Sequence, residues 1–219
     1  MVTAEYIEQN KVIAIVRKIY GEDLINLAGA LSKGGVNLIE CTFDQIDPDC
    51  IRKTTDAISS LKSNLGDLMH VGAGTVLTVE QVDAAYGAGA EFIISPNTCP
   101  AVIRRTKELG MISIPGAMTP TEILLAHDEG ADFVKLFPAA TLGFKYIKDI
   151  LAPISHVKLI ATAGVNEENF KEFLDLGIVG AGISGRLTDK KLIAAEDWDE
   201  LQRRAEVFTR IAQGNQANE

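Results

Sequence analysis

The chain has 219 residues, of which 47% are hydrophobic and 23% charged, and a formal net charge of −9. That length and balance suit one soluble α/β domain over 1–219, and the acidic surplus disfavours nucleic acid and anionic membrane as partners. No apolar run approaches the roughly 20 residues of a membrane span, and the first residues carry no export signal, so the expected location is the cytoplasm. Cys41, Cys50 and Cys99 are odd in number and lack C-x-x-C spacing, which reads as reduced thiols.

A short helix over 3–9 precedes 12–16, a β-branched run with the pattern of a fully buried strand. Apolar residues at Leu24, Leu27, Ala28 and Leu31 then keep helical spacing over 22–34 and stop at Gly34 and Gly35. Strand 38–42, helix 48–61 capped by Asp47, and strand 70–74 follow. Helix 79–86, capped by Thr78, leads to strand 92–95, helix 100–109, strand 112–114 and a helix opening at Thr119 and Pro120 with Glu122 in its first turn. The sixth strand lies around Lys135. A helix at 146–150, strand 158–161, helix 167–174, strand 179–183 and a last helix over 197–212 complete the pattern, with a polar tail over 213–219. Eight strand–helix units without a hairpin signal imply crossovers and a parallel sheet, closed as an α/β (β/α)8 TIM barrel with a short N-terminal helix. A doubly wound open sheet competes, but the first strand is followed by Arg-Lys-Ile-Tyr-Gly and not by the G-x-G-x-x-G of a dinucleotide site.

In that frame two polar residues stand out. Alternation in the sixth strand puts Phe133, Lys135 and Phe137 on one face, so an ammonium shares a desolvated surface with two rings. Such an amine is paired, driven toward neutrality or used as a nucleophile; the alternative is one that snorkels out near Pro138. In the second strand Leu38, Glu40 and Thr42 share a face. Strands two and six oppose each other in an eight-stranded barrel, so Glu40 and Lys135 can both point inward, either as a structural ion pair or as an acid/base and a nucleophile.

Five segments in order, Leu38-Ile-Glu-Cys-Thr42, Gly72-Ala-Gly-Thr-Val-Leu77, Phe92-Ile-Ile-Ser-Pro-Asn97, Ile114-Pro-Gly-Ala-Met-Thr-Pro-Thr-Glu122 and Val134-Lys-Leu-Phe-Pro-Ala139, resemble the 2-keto-3-deoxy-6-phosphogluconate / 4-hydroxy-2-oxoglutarate aldolase family. The resemblance runs from about Lys11 to Leu187. It implies a class I aldolase, free of metal and cofactor, usually a homotrimer, that splits a 2-keto-4-hydroxy acid into pyruvate and an aldehyde. It also implies Lys135 as the Schiff-base lysine and Glu40 as the general acid/base. Thr75, Pro96 and Phe137 would then hold the pyruvyl part, while Arg17 with Thr162, Gly164, Ser184 and Gly185 would hold a substrate phosphate. From its position alone Thr75 could equally cap the following helix, although Thr78 is better placed for that. A phosphosugar epimerase or isomerase, and a barrel that binds a sugar acid without turning it over, are the competing functions.

The chain also departs from the family pattern. Asp44 stands where many members carry an arginine, and is expected to be solvated in the loop before Pro48. Thr162-Ala163-Gly164 replaces the usual Thr-Gly-Gly, and the Ala163 methyl could obstruct close approach of the backbone to an anion or be harmless if its φ is negative. His70, His127 and His156 fall far apart in the barrel order, with no metal triad in view.

Overall fold

The computed structural model describes residues 1–214. Among these residues nine parallel strands form one sheet: β1 (Val12–Val16), β2 (Leu38–Thr42), β3 (His70–Gly74), β4 (Phe92–Ile94), β5 (Ile112–Ile114), β6 (Gly116–Ala117), β7 (Val134–Leu136), β8 (Leu159–Thr162) and β9 (Gly180–Ile183). Their order is β5-β4-β3-β2-β1-β9-β8-β7-β6, and β5 and β6 are one run of chain interrupted at Pro115. Proline has no N–H for the ladder, but its carbonyl still accepts from the Lys135 N–H at 2.8 Å while Gly116 pairs with Lys135. The nine strands therefore fill the eight positions of a closed (β/α)8 barrel.

Among the described residues ten α-helices are wound around them: α1 (Ala4–Asn10), α2 (Gly21–Lys33), α3 (Cys50–Leu65), α4 (Val79–Gly87), α5 (Pro100–Glu108), α6 (Pro120–Asp128), α7 (Ala139–Leu151), α8 (Phe170–Asp175), α9 (Lys190–Ala194) and α10 (Trp198–Ala212). Strand alternation divides the core in two. Ile13, Leu38, Phe92, Ile94, Ile112, Ile114, Phe133 and Ile160 fill the barrel interior, joined by Ile7 of α1, which plugs its N-terminal end. Residues of opposite parity, among them Ala14, Ile39, Val71, Val134, Leu136 and Ala181, pack outward against Leu27, Ile58, Phe170 and Phe208 of the helices. Gly72 makes room for this interior, since a Cβ there would lie 2.2 Å from the Phe92 ring.

Several boundaries differ from the sequence expectation for local reasons. Helix α3 starts at Cys50 because the Asp47 carboxylate is used before the helix, accepting from the Asp49 N–H at 2.9 Å and from Lys53 at 2.6 Å. Similarly, α8 starts late because the Asn166 side chain accepts from the N–H groups of Glu168 and Asn169. Helix α7 is far longer than 146–150. It begins at Ala139 and turns at Gly143, whose φ of 75° breaks the apolar period that would have marked its first half. The short α9, capped by Asp189, was not expected. The tail expected over 213–219 lies outside the described residues from 215 onward.

The face away from the strand C-termini carries a charge cluster invisible to local pattern. Glu91, 5% exposed, accepts from Lys62 at 2.8 Å and lies 2.9 Å from His70 Nδ1. His127 and His156, expected far apart, meet edge to face with ring centroids 5.1 Å apart, because the end of α6 returns beside the loop before β8.

Candidate active site

Lys135 sits at the middle of β7, 8% exposed, with Nζ 5.0 Å from the centroid of the Phe137 ring. Glu40 reaches the interior from β2 and is 1% exposed. Burial dominates both groups. It pushes the Glu40 carboxyl above its usual range against the pull of Lys135 and Arg17, and it pushes the Lys135 amine down against Glu40, with Arg17 adding to the depression. Among the described residues they form no direct ion pair, so the structural pair left open by the sequence is not made; Glu40 Oε2 is buried without any hydrogen-bond partner. Gly74, opposite on β3, gives this carboxyl its space, since a Cβ there would lie 2.7 Å from Glu40 Cδ.

At the C-terminal ends of the strands a cavity of about 350 Å³ opens above Lys135. Arg17, Thr75, Pro96, Phe137, Thr162, Gly164, Ser184 and Gly185, all expected to contact substrate, line it together with Lys135. Glu40 is the exception among the expected site residues: it does not itself line the cavity and packs against Gly74. Ile15, Val165 and Gly182 also line the cavity and were missed. The parity of Ile15 with Ile13 could have found the first, and the position of Gly182 beside Thr162 in the ladder the last.

Two wall residues have strained backbones. Thr75 has φ 57° and does not cap α4, a role filled by Thr78, whose hydroxyl accepts from the Gln81 N–H at 3.2 Å. Ala163 has φ 75°, so the condition under which its methyl would be harmless is not met; Gly164 follows at φ 77°. The charges around the rim are unevenly committed. Arg186 is locked in a two-pronged pair with Glu167, through Nη2 at 2.8 Å and Nε at 2.9 Å. Asp44 is not freely solvated as expected but pairs with Lys18 at 2.7 Å, its side chain only 18% exposed. Arg17 lacks a carboxylate partner among the described residues and lines the cavity.

A lysine and a carboxyl group driven toward neutrality at the C-terminal end of a barrel, under a small cavity with a cationic rim, suit chemistry on the carbonyl of an anionic substrate. A family model described as "Aldolase: KDPG and KHG aldolase" matches residues 3–204. The chain belongs to the KDPG and KHG aldolase family. This aldolase, a carbon–carbon lyase, is 32% identical to the 2-dehydro-3-deoxy-phosphogluconate aldolase of Haemophilus influenzae over 91% of each chain. It is 35% identical to the 2-dehydro-3-deoxy-6-phosphogalactonate aldolase of Escherichia coli, over 80% of this chain and 83% of that one. Among solved structures it is similar to the KDPG aldolase of Legionella pneumophila, in which pyruvate was captured as a covalent carbinolamine intermediate. There the TM-score is 0.83 and the identity 26%, over 94% of this chain and 98% of that one.

Proposed function

We propose that the aldolase uses Lys135 as its nucleophile and Glu40 as its general acid/base to cleave a 2-keto-3-deoxy-6-phospho sugar acid into pyruvate and a phosphorylated aldehyde. The amine adds to the C2 ketone and loses water to form an iminium. That iminium accepts the electron pair of the C3–C4 bond as Glu40 removes the C4 hydroxyl proton. Aldehyde leaves, the enamine takes a proton back at C3, and the water lost at the start is consumed in releasing pyruvate and the free amine. The protonated imine is itself the electron sink, so no step calls on a metal or cofactor.

The observation that carries this reading is a buried amine kept low by desolvation, with an unpartnered carboxyl group nearby and no ion pair to fix it in the charged form. Thr75, Pro96 and Phe137 enclose the pyruvyl end. Arg17, the loop from Thr162 to Gly164, and Ser184 with Gly185 receive the phosphate. The working form is proposed to be a homotrimer in the cytoplasm, and exposed apolar residues such as Ile46, Met118 and Leu125 would be covered in it. No helix among the described residues is long and apolar enough to cross a membrane.

The test is borohydride reduction in the presence of pyruvate, followed by peptide mass spectrometry. The reduced adduct is expected on Lys135, and Lys135→Met abolishes both adduct and cleavage. An adduct on another lysine, or full activity in Lys135→Met, would overturn the assignment.

A further inference from the structure

Thr75 stands in the cavity wall with φ 57°, a conformation that a β-branched L residue adopts only when its surroundings hold it there. Two glutamines do so. Gln81, 5% exposed on α4, uses both ends of its amide: Oε1 accepts from the Leu77 N–H at 2.7 Å, and Nε2 donates to Oε1 of Gln45 at 2.9 Å. Gln45, on the loop after β2, then donates through Nε2 to the carbonyl oxygen of Thr75 at 2.7 Å. The chain of amides has one possible polarity, because it begins at a backbone N–H that can only donate and ends at a carbonyl that can only accept.

We infer that Gln45 and Gln81 are positioning residues of the pyruvyl site, an amide relay that clamps the Thr75 turn from both sides and keeps Thr75 at the cavity wall. The assignment rests on the aldolase reading above, in which Thr75 contacts the pyruvyl carboxylate. Neither glutamine lines the cavity, so each acts through Thr75 alone. The relay also ties the β2 loop to the β3 loop.

The experiment compares borohydride trapping of pyruvate with trapping of acetone, which has a carbonyl for Lys135 but no carboxylate for Thr75. Gln45 is exposed, so Gln45→Ala keeps the fold; thermal melting verifies this and tests Gln81→Ala, where a buried amide is lost. In both variants the pyruvate concentration for half-maximal trapping is expected to rise on the order of tenfold, the equilibrium equivalent of the strain in one left-handed L residue. Acetone trapping is expected to stay unchanged. The double variant should be no worse than either single one, because one broken link already opens the relay. An unchanged pyruvate requirement in well-folded Gln45→Ala, equal losses for pyruvate and acetone, or additive losses in the double variant would each overturn the assignment. Wild-type protein that traps neither compound overturns the aldolase reading itself, and the relay's role with it.

Discussion

Ala163→Gly separates backbone strain from chemistry at the anion rim. Ala163 has φ 75°, and its carbonyl accepts from the Ala140 N–H at 3.1 Å, so the loop is pinned from α7 while its methyl faces steric conflict with its own backbone. Holding an L residue in the left-handed region costs about 1–2 kcal/mol. Glycine removes that cost but gains freedom in the unfolded chain worth about 0.4–1 kcal/mol. The balance is a stabilisation of about 0.8 kcal/mol, which for a domain of this size raises Tm by about 2 °C. Removal of the methyl also opens the backbone of a cavity-lining loop to closer approach by an anion, so KM for a phosphorylated substrate should fall while kcat stays within about twofold. Calorimetry and steady-state cleavage kinetics read the two effects separately. A lower Tm would refute the strain argument, and a higher KM for the phosphorylated substrate would refute the placement of phosphate on this loop.

Two further substitutions test other parts of the molecule. Gly74→Ala would place a methyl 2.7 Å from Glu40 Cδ, and displacing that carboxyl group is expected to cut kcat by on the order of 100-fold; wild-type turnover would show that Glu40 needs no fixed position. Burial alone would raise the Glu91 carboxyl, but its hydrogen bonds with Lys62 and His70 and their charges together hold it below the usual range. A carboxyl group lowered in the fold contributes stability that is present above its unfolded value of about 4.3 and is lost as pH falls through the lowered value. Thermal melting should therefore show the wild-type lead over Glu91→Gln shrinking as the solution is acidified past that point. A lead that stays constant into strong acid would refute the linkage.

What could be read in advance follows the range of the interactions involved. Strands β1, β2, β3 and β5 were legible to the residue because their β-branched or alternating runs are bounded by polar or glycine positions. Parity then placed Lys135 and Glu40 inside the barrel correctly. Several missed features depend on partners distant in sequence. The Lys18–Asp44 pair joins loops after different strands, and the Gln45–Gln81 relay does the same for the loop after β2 and a helix beyond β3. The left-handed φ of Ala163 is set by its place between β8 and the helix that supplies Ala140, and residue type argued against it. In α7, Gly143 hid a helix whose two halves carry different apolar phases.

The seam between β1 and β9 closes the barrel with the first and last strands side by side, and Thr188 reaches across 173 positions to hydrogen-bond the carbonyl of Ile15. Arg17 and Ser184, on opposite sides of that seam, share one wall of the cavity. During synthesis, then, a nascent chain that has not yet delivered β9 cannot assemble this wall, and the proposed capture of a phosphorylated compound waits on the segment that supplies Ser184 and Gly185. On that proposal, a cut that frees β9 would extinguish the capture even with Lys135 and Glu40 both retained.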